Sequence, residues 1–459
     1  MTAVAISIGL QAIALALVWH SVRARPAASF GLLFLAVAFV YHGLTEFARA
    51  VFGTERTTAA LFADSSFESA FSHWMVFMGI AFVIYAATFR LTVGKVVFAR
   101  ASTVHGLSRS PLGWKRIAII GIGLDLILIF SSAQTAPGYW LSGLAQQFTV
   151  MFCILAAIRA VEQRAAAPER VALFLALVLT PIGSRLTVVA SVLILVGALS
   201  RAGSRFSLVR ATKVAIVCVA AISTISLSRT IFDRSMYSDP IGERVAKIAA
   251  SLAPGNIYSG ARGSWQDFVA DTIDRLDGNT YGALILSRLE GGYPAPGLGG
   301  LLVALNLNIP RFLNPTKLDV SYEKTHEEAF INSWYDFPRG YDFGPTLFVM
   351  IASYYGPWSL LFGAAIFGAS LGCADRWLLR SRSLAAIIVG YSISSIALFT
   401  EQGMTFVFWA GRGALIGYWF LRLLSVGVRR RDGFCRQPLV IGPAIDADRG
   451  SLLSQFEIR

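Results

Sequence analysis

Charge is scarce in this chain. Only 15% of its 459 residues are Asp, Glu, Lys or Arg, against about 25% in an ordinary soluble domain. The deficit is concentrated in long apolar runs, which argues against a water-facing globular fold and makes the bilayer the expected solvent. Cysteine is scarce too. Cys153, Cys218 and Cys373 sit in apolar runs and Cys435 in a basic tail, so the long polar stretch 230–344 has no disulfide framework and the chain shows no metal-ligand spacing. The N-terminus lacks a basic n-region and a small-residue cleavage site, so the first apolar run, Ala3–Trp19, reads as a retained helix and not a leader. Internal repeats and low-complexity tracts are also missing.

What is present is hydrophobic length. Apolar runs fall at about 3–20, 29–45, 71–89, 117–132, 139–158, 171–182, 186–200, 213–228, 345–373, 384–400 and 405–425. They predict an all-α, polytopic membrane bundle of about eleven crossings. The runs 171–182 and 186–200 are short, and read either as a tilted hairpin or as one span broken at Pro181–Gly183. The formal charge of +13 does not point to nucleic acid, because the cations collect in alternate short connections. These hold Arg23 and Arg25; Arg90, Lys95, Arg100, Arg109, Lys115 and Arg116; Arg159, Arg164 and Arg170; Arg201, Arg205, Arg210 and Lys213; and Arg376, Arg380 and Arg382, with Arg429–Arg431 in the tail. The bias places that side in the cytoplasm, the N-terminus outside and the C-terminus inside.

Four units follow: N-terminal membrane helices over 1–229, an outer loop over 230–344, C-terminal membrane helices over 345–425, and a cytoplasmic tail over 426–459. The loop is too long for a plain connection and is expected to be structured. Asp239–Pro240 reads as an N-cap and first-turn proline, with Ile241, Val245, Ile248 and Leu252 on one apolar face. A second helix is expected from Ser264, with Asp267 in its capping box, Trp265, Phe268, Val269, Ile273 and Leu276 along its stripe, and Asp271 and Asp274 on the polar face.

Ionisable residues inside or at the edge of apolar runs are Asp125, Arg185, Glu401 and Arg412. At membrane depth such groups line a polar cavity or pair with one another, as Asp125 could with Arg185 or Arg412. The loop itself has fourteen acids against ten bases, mostly a solvated mixture. Several of its cations stand apart because they sit in rigid turns. Arg288 precedes a run rich in Gly and Pro, Arg311 lies between Pro310 and Pro315 with Lys317 beyond, and Arg339 lies between Pro338 and Gly340. Rigid turns hold guanidinium groups in place, and their forks match phosphate oxygens. Tyr293, Trp334, Tyr335, Phe337, Tyr341 and Phe343 are interleaved, which suits stacking on sugars or anchoring at the membrane interface.

The segment GGYPAPGLGGLLVALNLNIPRFLNPTK, Gly291–Lys317, resembles the glycine-rich turn and I-P-R-x-x-x-P-x-K element of bacterial O-antigen and exopolysaccharide repeat-unit polymerases of the Wzy type. GPTLFVMIASYYG, Gly344–Gly356, resembles that family's segment after the large loop, where a short helix leads into the next span. GSR at Gly183–Arg185 matches an arginine in a short outer turn, and Arg288 with Gly299 matches an arginine-x10-glycine pattern. One departure stands out: Met350 occupies the position where many members carry a Glu, so no carboxylate role is carried over there.

The resemblance implies a GT-C-like membrane glycosyltransferase of the inner membrane that needs no metal and no cofactor. A growing glycan would move from undecaprenyl pyrophosphate onto a new undecaprenyl-pyrophosphate-linked repeat unit. Membrane lipids, a flippase and a chain-length regulator are implied partners. Arg185, Arg275, Arg288, Arg311, Lys317, Arg339, Tyr341 and Arg412 are the expected substrate-binding residues. His326, Glu327, Asp336 and Glu290 are the expected acid–base candidates, with Glu328 and Asp342 behind them. The pyrophosphate is a good leaving group, so the work falls on positioning, on fixed positive charge and on one proton transfer. Rival readings are an O-antigen ligase, which delivers polymer to lipid A-core sugar, and a lipid-linked oligosaccharide transporter.

Overall fold

The computed structural model describes residues 2–22, 29–56, 65–94, 276–309, 327–337 and 346–380, with parts of 270–274 and 403–419. Among the described residues the structure is helical and contains no strand. The elements are α1 (Thr2–Val22), α2 (Phe30–Phe39), a π-helical turn (Val40–Leu44), α3 (Thr45–Phe52), α4 (Phe67–Val93), α5 (Gly278–Glu290), α6 (Leu298–Asn308), α7 (Glu327–Trp334), α8 (Leu347–Tyr355) and α9 (Pro357–Arg380). The apolar runs 117–132, 139–158, 171–182, 186–200, 213–228 and 384–400 lie outside the described residues, as do Asp125 and Glu401.

Among the described residues four helices are long and apolar enough to cross a membrane: α1, the continuous stretch Phe30–Phe52, α4, and α9 over Pro357–Trp377. The bilayer offers no partner for an exposed amide, so helices of this length satisfy their own backbone and pack by shape. In α9 the shape is set by Gly368 and Gly372, a Gly-x-x-x-Gly pair. A Cβ at Gly368 would stand 2.5 Å from the carbonyl oxygen of Tyr85, and one at Gly372 would stand 2.0 Å from Thr92 Oγ1. The two helices run parallel, since Trp358 at the start of α9 meets Phe77 at 5.4 Å between ring centroids. α2 runs antiparallel to both. Tyr85 donates to the carbonyl of Gly31 at 2.9 Å, while His42, further along, approaches Trp74 at the start of α4.

The run 345–373, expected as one crossing, is two helices. Gly356 at φ +81° and ψ −179° breaks the ladder, and Pro357 opens α9. A backbone there with φ > 0 suits glycine alone, and proline at the first helical position loses no hydrogen bond. The short helix α8 therefore leads into a crossing that begins at Pro357.

The bundle has two distinct ends. At one, Asp375 of α9 reaches the start of α2. It accepts from Ser29 Oγ at 2.5 Å, Phe30 N at 2.9 Å and Gly31 N at 3.4 Å. Ser29 Oγ in turn accepts from Leu32 N at 3.1 Å, so two side chains share the orphan donors of one helix terminus. The carboxylate also lies where the helix dipole favours negative charge. Asp375 is buried, so its replacement by Ala is expected to cost about 1–3 kcal/mol. Thermal denaturation of the purified protein in detergent would register that loss, and an unchanged midpoint would refute the role. Arg90, Arg376 and Arg380, three of the cations used to orient the chain, lie in the last turns of α4 and α9 at this same end.

At the other end sit α5, α6, α7 and α8. α5 lies across the opening turns of α4, with Ser66 Oγ and Ser287 Oγ 2.9 Å apart. Gly282 rests on the Trp74 ring, where a Cβ would come within 2.3 Å. The stretch read from sequence as a charged outer loop thus contains a helix, α5, that is buried from Gly278 through Ser287. The helix expected over 240–252 lies outside the described residues, as does most of the one expected from Ser264.

Candidate functional site

The end of α5 carries Arg288 into a bracket of rings. Asp277 caps the start of the helix, accepting from Asn279 N at 2.9 Å and Thr280 N at 3.1 Å. Arg288 emerges in the last turn, just past the buried stretch. Its guanidinium carbon lies 5.7 Å from the Tyr293 ring centroid and 5.7 Å from that of Phe337. Both distances fall within cation–π range. Contact with two ring faces restricts the orientation of the planar guanidinium.

The two ring-bearing segments are tied together. Trp334 Nε1 donates to the carbonyl of Pro294 at 2.7 Å, fastening the end of α7 to the Gly/Pro turn. Tyr335 donates to the carbonyl of Ser353 at 2.6 Å, and Tyr281 to Asn332 Oδ1 at 2.7 Å. Burial pushes both phenols above their ordinary range, so they stay protonated donors. Asp336 turns the chain between Tyr335 and Phe337 with φ +58°, and its side chain is exposed. A non-glycine residue at positive φ is uncommon, although Asp tolerates it better than most. The glycine-rich turn is seated by α8: Gly297 N donates to the Tyr354 carbonyl at 2.6 Å. A Cβ at Gly300 would reach within 2.2 Å of the Tyr354 ring.

Glu327 and Arg412 take separate partners elsewhere in the same cap. Glu327, at the start of α7, is buried. One of its oxygens accepts from Tyr354 Oη and from Met404 N at 2.8 Å, and the other accepts from Thr405 N at 2.6 Å. Glu327 therefore caps the helical residues that begin at 404. Burial and the adjacent carboxylate push the Tyr354 phenol above its ordinary range. Arg412 donates to the carbonyl of Asn308 at 3.0 Å, at the end of α6, and Asn308 donates to the carbonyl of Thr405 at 2.8 Å. A cation at a helix C-terminus is favourably placed. Glu290 pairs with His73 at 2.8 Å on an open surface.

A third cluster was not anticipated from the sequence. His42, on the π-helical turn, faces Asn279 Oδ1 at 2.8 Å through Nδ1 and Thr346 Oγ1 at 3.1 Å through Nε2. Asn279 also receives Trp74 Nε1 at 3.2 Å and donates to the carbonyl of His42 at 2.9 Å and to Glu46 at 3.2 Å. Arg49 pairs with Asp274 at 2.5 Å and Asp277 at 2.9 Å, and Arg56 pairs with Glu46 at 2.5 Å. The network joins the bundle to the start of α5 and the start of α8. Its sequence signal was the pair Glu46 and Arg49, two charges at helical spacing immediately after an apolar run.

Of the expected site residues, the structure describes Arg288, Glu290, Glu327, Asp336 and Arg412. It brings Arg288 and the 334–337 turn together, and it places Glu327 and Arg412 in a separate locus around 404–412. Glu328 is described on α7. Arg185, Arg275, Arg311, Lys317, His326, Arg339, Tyr341 and Asp342 lie outside the described residues. Met350 is buried in α8. Among the described residues no group of three or more His, Cys, Asp or Glu side chains converges as a metal site would require. No family model, curated protein or solved structure matches the chain.

Proposed function

We propose that this protein is a membrane glycosyltransferase of the repeat-unit polymerase kind, acting on glycans linked to undecaprenyl pyrophosphate at the outer face of the inner membrane. The observation that carries this reading is the fixed guanidinium of Arg288. It stands within cation–π range of two aromatic rings, at the end of an apolar bundle opposite Arg90, Arg376 and Arg380. An anionic headgroup attached to a lipid, with sugars attached to the headgroup, calls for a held cation, aromatic faces and a nearby bilayer. Lateral restriction of both substrates to one membrane supports catalysis through proximity.

In this reading a hydroxyl oxygen at the non-reducing end of the incoming repeat attacks the anomeric carbon of the growing chain. The bond from that carbon to the pyrophosphate oxygen breaks, and undecaprenyl pyrophosphate leaves with the electron pair. The hydroxyl proton passes to a base. Arg288, with Arg185, Arg275, Arg311, Lys317, Arg339 and Arg412, serves the pyrophosphate charge, while Tyr293, Trp334, Phe337 and Tyr341 face the sugars. Among the described carboxylates Asp336 is the base candidate that is both exposed and next to a bracketing ring. His326 stands as its alternative. Glu327 acts as a brace in this scheme, because both of its oxygens are already engaged, and Glu290 is held by His73.

Arg288→Ala is expected to cut polymer yield about ten- to a hundred-fold, the worth of one charge-assisted hydrogen bond of about 1.5–3 kcal/mol. Arg288→Lys retains the charge but not the planar fork and is expected to fall in between. The measurement is glycan chain length in cells lacking the native gene product, with membrane levels of each variant matched by immunoblot. Single repeats attached to the acceptor signify polymerase loss, whereas unattached lipid-linked polymer would mark a ligase. Normal chain length in Arg288→Ala at matched level defeats the assignment.

A further inference from the structure

α6 is an eleven-residue helix without one ionisable side chain, LGGLLVALNLN, within the longer uncharged stretch Gly291–Pro310. It is too short to cross a bilayer, at about 16 Å, and it does not hide its apolar surface. Leu298, Leu302 and Leu305 are exposed, at 63%, 60% and 43%. Their spacing of four and three puts them on one side of the helix. A row of bare leucines in water would be an aggregation hazard, so a partner is called for.

The neighbours say which partner. Gly297, immediately before α6, donates to the Tyr354 carbonyl, and its Cβ position lies 3.8 Å from the Tyr355 ring. Tyr355 is exposed, and Trp358, Phe362 and Ile366 continue the exposed apolar face down α9, which is long and apolar enough to cross a membrane. Exposed Tyr and Trp at the head of such a helix mark the level of a membrane–water interface. The far end of α6 is pinned to a second helix start, since Asn308 donates to the carbonyl of Thr405 and accepts from Arg412. The helical residues beyond carry exposed Leu415 and Trp419. α6 therefore runs from the leading end of α9, where exposed Tyr355 and Trp358 stand, to the helical residues that begin at 404.

We propose that α6 lies flat in the interfacial plane of the bilayer, with Leu298, Leu302 and Leu305 against acyl chains. It is a fixed in-plane anchor that holds the glycine-rich turn, and with it Tyr293, at the membrane surface. An apolar helix face sinks about 5–10 Å into this zone. The proposal does not rest on the chemistry assigned to Arg288.

The test uses the full chain in nanodiscs of phosphatidylethanolamine and phosphatidylglycerol. Cys153, Cys218, Cys373 and Cys435 are replaced by Ser, and single cysteines are introduced as Leu298→Cys, Leu302→Cys, Leu305→Cys or Ser333→Cys. Each is spin-labelled, and collision with oxygen is compared with collision with a water-soluble nickel chelate. Ser333, exposed on α7, supplies the aqueous reference. The expected result is an oxygen-to-nickel ratio several-fold higher at all three leucine positions than at Ser333, with the same shallow depth for all three. Ratios equal to that of Ser333 would place the face in water and overturn the proposal. Labels shielded from both reagents would show the face covered by protein, a second copy included, and would overturn it equally.

Discussion

Replacing Asp277 with Ala is expected to destabilise the cap by about 3 kcal/mol, near the lower bound for breaking a buried ion pair. The side chain does two jobs at once. It caps α5 through the backbone donors of Asn279 and Thr280, a role worth about 0.5–2 kcal/mol. It also neutralises Arg49, which is only 6% exposed. Asp274 stays as a second partner for the guanidinium, which is why the expected loss sits at the low end. Asp277→Asn separates the two jobs, because asparagine caps as well as aspartate but carries no charge. It is expected to recover the capping part alone. Arg49→Met in the Asp277→Ala background would then measure their coupling by a double-mutant cycle. The measurement is thermal denaturation of the purified full chain in detergent. If Asp277→Ala shifted the midpoint no more than a surface substitution does, the network would be incidental. Because α5 ends in Arg288, loosening its start is also expected, on the proposed function, to lower polymer yield without any substitution at Arg288, Tyr293 or Phe337.

The membrane helices were legible because burial in lipid is written locally, as apolar length. The runs 3–20, 29–45 and 71–89 correspond to α1, to the start of Phe30–Phe52 and to α4. Where they fell short, charge was the reason. The second run was ended at Leu44–Thr45, just before Glu46 and Arg49, although the helix continues to Phe52 with those charges turned inward to partners. A rule that ends spans at charges cannot see a partner more than two hundred residues away. The resemblance at Gly344–Gly356 implied a short helix leading into a span, as α8 and α9 are. Hydropathy missed that break in the run 345–373 in the opposite sense, because its composition is unbroken and only Gly356–Pro357 marks the turn. Dipeptide punctuation of that kind carries backbone information that hydropathy ignores.

The candidate site was legible in part. Arg288 and the rings at 293 and 334–337 were singled out because arginine and aromatics in rigid turns are unusual, and the fold brings these segments together. What sequence spacing did not show was the division of labour among the acids. Asp274 read as part of a solvated helix face, yet it closes on Arg49. Glu327, Glu290 and Asp336 looked equivalent as loop carboxylates, yet one is buried, one is paired at the surface and one sits open in a strained turn. Such differences arise from tertiary contacts, which leave no local mark.

That division makes Glu327 the sharpest test of the scheme. Glu327→Ala is expected to abolish polymer formation by removing the protein's cap and not its chemistry. Three donors converge on the carboxylate: Tyr354 Oη, Met404 N and Thr405 N. Leaving the buried Tyr354 donor orphaned costs about 1–3 kcal/mol. The part-buried helix-start donors of Met404 and Thr405 add the loss of a cap, about 0.5–2 kcal/mol. Together these are a large share of a fold held by about 5–15 kcal/mol. Glu327→Gln tests the same point with less change in volume, since its amide would set N–H groups against backbone N–H groups. Both variants are therefore expected to lower membrane abundance and thermal midpoint along with activity. A general base behaves otherwise: its glutamine variant folds, accumulates and binds, and only turnover collapses, by about 10²–10⁴-fold. Normal abundance and an unshifted midpoint in Glu327→Gln, with activity gone, would return Glu327 to the reacting atoms. Loss of stability together with activity leaves the proton to Asp336 or His326, where Asp336→Asn in a stable protein is the variant to assay.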